Sequence, residues 1–143
     1  MNHQFCTFQL DQLLFGVPVL DVQEVIRGQE MTRVPLAPAA IRGLINLRGQ
    51  IVSAIDLRQR LSLAPAAADS EPMNVVVRTA DGAVSFLVDE VGEVVEVGED
   101  DREATPETLR GAARELTRGV FKLRDRLLLV LDTEQAAAVT ADS

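Results

Sequence analysis

Ile41-Arg42-Gly43-Leu44-Ile45-Asn46-Leu47-Arg48-Gly49-Gln50-Ile51-Val52 sets an arginine between two glycines at the mouth of an apolar strand. Either glycine can adopt a positive φ or admit a neighbouring backbone closely, so the Leu47-Arg48-Gly49 corner can push a guanidinium outward from a rigid base. On the C-terminal side, Ile51, Ser53, Ile55 and Leu57 alternate with Val52, Ala54 and Asp56, which predicts a strand largely buried on both faces. On the N-terminal side, Thr32 to Val34 reads as a brief strand stopped by Pro35, and Pro38 opens a helical turn through Ala39 to Ile41.

Further out, residues 4–10 and 13–17 read as a hairpin of two strands across Asp11-Gln12. Leu20, Val22, Val25 and Ile26 have a spacing that predicts a short helix. The Pro-bounded, Ala-rich segment 64–72 reads as a linker dividing the chain into two small lobes of one domain. Beyond it, 74–79 and 83–88 form a hairpin whose turn is expected at Asp81-Gly82, a dipeptide favoured where both central residues need φ > 0. Residues 91–97 continue as a strand, and an acidic loop with a helical turn after Pro106 follows. A hairpin of 116–123 with 127–131 and a helix over 133–139 complete the pattern. Short strands punctuated by turns argue for small β-barrels or a sandwich, not a parallel α/β sheet.

The net charge of −8 is concentrated locally: residues 87–107 hold nine acids and one base, Arg102. Such a strip repels phosphate, so nucleic-acid binding is disfavoured despite the basic set Arg42, Arg48, Arg58 and Arg60; stacking Trp and Tyr are absent as well. No apolar run approaches the ~18 residues that cross a bilayer, and the N-terminus lacks the basic and apolar regions of a secretory signal, so no membrane insertion and a cytoplasmic location are expected.

Catalytic chemistry finds little to stand on. His3 is the only histidine and falls in an N-terminus expected to fray, while Cys6, the only cysteine, lies in an apolar strand where a thiol behaves as a small hydrophobe. No Walker-type loop is present, and Glu99, Asp100, Asp101 and Glu103 lack the ligand spacing of a calcium loop, so neither cofactor nor metal is expected. Asp56 reads as an ion-pair partner or as the cap of a turn beginning at Arg58. Arg48 is either an ordinary salt-bridged corner or an interaction hot spot, and its setting favours the second. Val19, Val22 and Val25 read as core on periodicity alone.

Val22-Gln23-Glu24-Val25-Ile26-Arg27, Thr32-Arg33-Val34-Pro35, the opening stretch and Ile55-Asp56-Leu57-Arg58 closely resemble the CheW chemotaxis coupling proteins in order and spacing. Phe86 to Val91, Arg118 to Leu123 and Leu127 to Asp132 resemble that family's later strands. The resemblance implies a mainly β fold of two intertwined five-stranded barrels around a shared apolar seam. It also implies a non-enzymatic adaptor bridging the cytoplasmic tip of chemoreceptors to the regulatory domain of the histidine kinase CheA. Carried over by position, it assigns Val19, Val22, Glu24, Arg48, Val91 and Val94 to receptor binding, and Met31 and Gly43 to the kinase. Ser53-Ala54, Ser85 and Leu116 depart from the family's usual Pro-Val, Gly and aromatic. Adaptors of other chemosensory pathways, such as twitching motility, share these motifs; a small-barrel nucleic-acid binder is the remaining alternative.

Overall fold

A computed structural model describes residues 2–139. Eleven strands build two sheets, and the chain begins in one, crosses to the other and returns. Strands β1 (His3–Leu10) and β2 (Leu13–Pro18) form the expected first hairpin. After a 3-10 turn at Val19–Asp21 the chain enters the second sheet, built from β3 (Val22–Ile26), β4 (Ile41–Leu47), β5 (Gln50–Asp56), β6 (Met73–Thr79) and β7 (Gly82–Val88). It returns through β8 (Glu90–Val97), β9 (Arg102–Glu103), β10 (Thr117–Lys122) and β11 (Leu127–Leu131). The spatial orders are β8-β1-β2-β11-β10-β9 and β3-β6-β7-β5-β4. All pairings are antiparallel except β2 with β11 and β5 with β7.

Those two parallel strands have matching ends. Asp56 caps the helix α1 (Leu57–Arg60) by accepting from the Gln59 N–H at 3.2 Å, and its own N–H donates to Ala40 O at 2.7 Å. Asp132 caps α3 (Thr133–Ala137) through Gln135 at 3.0 Å, and its N–H donates to Leu116 O at 2.7 Å. Each sheet therefore ends its inserted parallel strand with the same strand, Asp cap and short helix. Asp56 also binds Arg42 at 2.9 Å, so both of its expected roles occur together.

Three apolar clusters hold the molecule. The largest lies between the sheets, with Phe8, Phe15 and Val17 from one meeting Val75, Val77 and Phe86 from the other. Two smaller ones, around Ile45 and Val52 and around Phe5, Phe121 and Leu128, fill the opposite faces. Phe8, Phe15 and Phe86 are fully buried, each worth roughly 2–3 kcal/mol of transfer free energy. The five-stranded sheet curls until its β3 edge meets the β4–β5 hairpin: Glu24 pairs with Arg48, and Gln23 Nε2 donates to Gln50 at 3.2 Å. This is the arrangement of two small barrels around a shared seam, mainly β throughout.

Several expectations are corrected. Residues 22–26 form a strand, not a helix. Its pairing slips at Gln23, where Val22 opposes Val77, Glu24 opposes Val76 and Val25 opposes Val75. The extra residue puts Val22 and Val25 on one face, and a bulged strand thereby imitates helical spacing. The 64–72 segment connects α1 to β6 inside one sheet; the crossings between sheets are at 19–21 and 89. The 79–82 turn centres on Ala80-Asp81, one residue early, and of the expected pair only Gly82 has positive φ, at 116°. Ile51 is 58% exposed, so β5 is buried on both faces only in its second half. His3 is no frayed end: it opens β1 opposite Val97, and its Nε2 lies 3.1 Å from Glu99. The acidic loop contains a 3-10 turn at Glu99–Asp101 and the short β9, and an unanticipated helix α2 (Gly111–Glu115) precedes β10.

Candidate protein-binding surface

The Arg48-Gly49 corner is a two-residue hairpin turn between Leu47 and Gln50 with both residues left-handed, φ 52° at Arg48 and 91° at Gly49. Such primed turns match the twist of the flanking strands. Asn46 fixes the corner by accepting the Gly49 N–H at 2.8 Å. Gly49 thus supplies a positive φ, whereas Gly43 supplies close approach: a Cβ there would sit 2.8 Å from Thr32 O and 3.1 Å from the Met31 Cβ. The Thr32–Leu44 bridge, with bonds of 2.9 and 2.8 Å, holds the two backbones together.

The Arg48 side chain is 73% exposed and pairs with the mostly covered Glu24. Glu24 and Arg48, which the family resemblance assigns together to one surface, are bonded to each other at the open end of the five-stranded sheet. Beside them, Val19 and Val22 pack half-buried against the inter-sheet cluster, and Val91 reaches the same cluster from β8. β8 carries its own bulge, with Val94 opposite Cys6 and Val91 opposite Phe8, which again puts valines three apart on one face. Val94 is 58% exposed and Val25 is 38% exposed, so the seam reaches the surface as an apolar strip. Cys6 is the cross-strand partner of Val94 on β1, and burial pushes its thiol pKa up, which fits packing and not reactivity. Leu20, 89% exposed on the 3-10 turn, extends the strip. Periodicity counted Leu20 as one apolar position of a short helix, and a spacing pattern does not say which of its members stays exposed.

Met31 and Gly43 come together elsewhere. Met31 packs on the cluster around Ile45 and lines a cleft of about 600 Å³ with Arg42, Asp56, Arg58, Glu71 and Asp89. At its back Arg58 grips Asp89 with two bonds of 2.9 and 2.6 Å, and Asp89 also accepts the Asp11 N–H at 2.8 Å. The guanidinium beside it holds the Asp89 carboxyl below its ordinary pKa, more than burial raises it. The basic set of the sequence does not survive as a free positive area. Arg42, Arg48 and Arg58 are each ion-paired, and Arg60 donates to Gln135 O at 2.8 Å and Ala136 O at 3.3 Å. Among the described residues, no group of three His, Cys, Asp or Glu is placed to hold a metal ion. No described helix is long and apolar enough to cross a membrane.

An apolar strip rimmed by an ion pair, with every basic group of the candidate patch engaged within the chain, is equipped to grip a protein segment. Comparison with known proteins identifies relatives of the chain as a whole. The family described as the CheW-like domain matches residues 4–140. The chemotaxis protein CheW of Treponema pallidum is 31% identical over 133 residues, covering 90% of this chain and 78% of its own. That of Bacillus subtilis is 31% identical over 131 residues, covering 92% and 84%. The crystal structure of the scaffolding protein TtCheW from Thermoanaerobacter tengcongensis superimposes with a TM-score of 0.86 at 26% identity, covering 99% of this chain and 96% of that one. The chain belongs to the CheW family, and its role is that of an adaptor or scaffold in chemotaxis.

Proposed function

We propose that this protein, acting as one two-lobed unit in the cytoplasm, couples the cytoplasmic tip of chemoreceptors to the regulatory domain of the histidine kinase CheA, without catalysis of its own. The observation that carries the reading is the strip where the seam between the sheets surfaces: Val19, Val22, Val91 and Val94, rimmed by the Glu24–Arg48 pair. Its apolar floor and charged border suit a receptor helix, and its place on both sheets suits a part that holds two partners in fixed relation. Met31 at the cleft, with the buried Gly43 packed against it, serves the kinase. The lack of a nucleophile with a base accords with a scaffold that acts by recruitment to receptor arrays.

The test is reconstitution. Purified protein, receptor cytoplasmic fragment and CheA are expected to form a ternary complex with altered kinase autophosphorylation. Arg48→Glu is expected to lower receptor affinity roughly tenfold while kinase binding and thermal stability stay unchanged. Failure to bind either partner would end the proposal, and a large stability loss in the variant would make Arg48 a structural residue.

A further inference from the structure

The two sheets repeat one plan. The β4–β5 hairpin pairs Ile41 with Ile55, slips, and resumes with Gly43 opposite Ala54 and Ile45 opposite Val52. The β10–β11 hairpin pairs Thr117 with Leu131, slips at the same place, and resumes with Gly119 opposite Val130 and Phe121 opposite Leu128. Each then ends in the Asp-capped helix described above. The bulged edge strands agree as well: β3 sets Val22 and Val25 against Val77 and Val75, and β8 sets Val91 and Val94 against Phe8 and Cys6. Residues 3–60 give the β1–β2 hairpin to one sheet and β3, β4 and β5 to the other, while residues 73–137 give the β6–β7 hairpin and β8, β10 and β11 the opposite way. A two-fold correspondence thus exchanges the halves of the chain. It carries Val22-Gln23-Glu24-Val25 onto Val91-Gly92-Glu93-Val94, and Leu47-Arg48 onto Leu123-Arg124.

The apolar strip therefore maps onto itself, with Arg48 at one end and Arg124 at the other, and the ends differ in charge. Arg48 is neutralised by Glu24, and Arg78 at that end is tied to Val22 O at 3.0 Å. At the other end the turn has changed. Neither Arg124 nor Asp125 is left-handed, and the Leu123 N–H donates to Arg126 O at 2.8 Å. No ion pair among the described residues involves Arg124 or Glu93, so the pair that closes one end is open at the other. Arg124 stands exposed between Lys122 and Arg126, with Asp125 the one acid of the tip. Arg126 reaches only Gln9 Oε1, at 3.5 Å, and the nearby Asp11 and Glu90 make no ion pair with the tip.

We infer that Arg124 is a second corner arginine of the binding surface, that it receives a carboxylate of the bound receptor segment, and that it thereby fixes the direction in which the segment lies. This inference rests on the receptor-binding reading above and adds a residue and a polarity to it. A segment laid along a two-fold floor covers the same valines in either of two opposite directions, so apolar contact does not choose between them. Charge does. An aspartate or glutamate passing Arg124 gains a charge-assisted bond at an exposed rim, whereas the same group passing Arg48 meets a guanidinium already held by Glu24.

The test measures binding of a recombinant chemoreceptor cytoplasmic fragment from the same organism to the wild type, Arg124→Glu, Arg124→Gln and Arg48→Glu. Arg124→Glu is then titrated with fragments in which each acid of the receptor tip is changed in turn to lysine. Arg124→Glu is expected to bind roughly tenfold more weakly and Arg124→Gln about threefold, with Tm and CheA affinity unchanged. One acid-to-lysine fragment is expected to restore binding to Arg124→Glu but not to Arg48→Glu, which places that acid at the Arg124 end. If Arg48→Glu weakens binding while Arg124→Glu binds as the wild type does, the inference fails and the receptor-binding strip stands. The same holds if no exchanged charge restores binding, or if one exchange restores both variants. A fall in Tm, or an equal loss of CheA affinity, in Arg124→Glu would also overturn it. If neither arginine variant weakens binding, the strip is not the receptor site and both readings fall.

Discussion

Two arginine–carboxylate pairs in this molecule look alike in sequence and differ in what surrounds them. Arg48 meets Glu24 at a hairpin tip with its side chain 73% exposed. Arg58 meets Asp89 with side-chain exposures of only 16% and 26%, through two bonds, and its Nη1 also donates to Ala64 O at 2.8 Å. Asp89 lies at the return crossing between the sheets, where its N–H donates to Gln9 O at 3.0 Å and its carboxylate accepts the Asp11 N–H. The second pair therefore ties α1, the crossing and the β1–β2 turn together, while the first offers its charge to solvent. An exposed pair contributes little to stability and is free to serve recognition, whereas a covered one is costly to break because its survivor stays desolvated.

The sharpest way to separate the pairs is to delete one member of the covered one. Asp89→Ala strands the Arg58 guanidinium and the Asp11 N–H, and is expected to cost about 2–3 kcal/mol, a fall of roughly 7–10 °C in Tm. Denaturant and thermal unfolding measure it. A loss below about 0.5 kcal/mol would mean the pair is no clasp, and the contrast with Arg48 would collapse.

Acid should dissolve the same contrast with no mutation. The folded-state pKa of Asp89 is lowered from its ordinary 3.8, chiefly by the hydrogen bond from Arg58. A depressed carboxylate stabilises the fold above its unfolded pKa and ceases to do so as pH falls through the folded one. The stability gap between wild type and Asp89→Ala is therefore expected to stay flat from neutral pH down to roughly 5 and to shrink below roughly 4. Glu99, pulled down to about 2 by Arg102 and secondarily by His3, titrates in the same acid range but is fully exposed and is common to both proteins. A gap that widens in acid would place the charge of Asp89 on the wrong side of the balance.

The contrast was only half legible in the sequence. The opening stretch disclosed Arg48, since a left-handed corner leaves a Gly signature, and the strand after it followed from alternation, whereas β4 before it was not read as a strand. The Arg58–Asp89 clasp spans 31 residues and joins elements whose adjacency is set by the sheet order, which no local pattern encodes. The bulges at Gln23 and after Val91 hid in the same way. They turned period-two strands into valines three apart, so β3 read as a helix. Spacing alone read Val19, Val22 and Val25 as core, and it was the family resemblance, not a local pattern, that assigned Val19, Val22, Val91 and Val94 to the surface.

The smallest expected effect bears most directly on why an arginine occupies the corner at all. Arg48 holds φ at 52°, a region that costs a residue with a Cβ about 1 kcal/mol and costs glycine nothing. Arg48→Gly removes that strain and also an exposed ion pair worth at most about 0.5 kcal/mol, so its stability should match or slightly exceed that of the wild type. Arg48→Ala loses the same pair and keeps the strain. The difference between the two variants, glycine above alanine by roughly 0.5–1 kcal/mol, isolates the backbone cost from the charge. Equal stabilities would mean that the corner relaxes without penalty, and that stability places no constraint on this position. If the glycine variant is the more stable while both lose receptor affinity alike, the chain carries a strained residue at its tip for the guanidinium alone, which Arg58, in its covered pair, gives no comparable reason to expect.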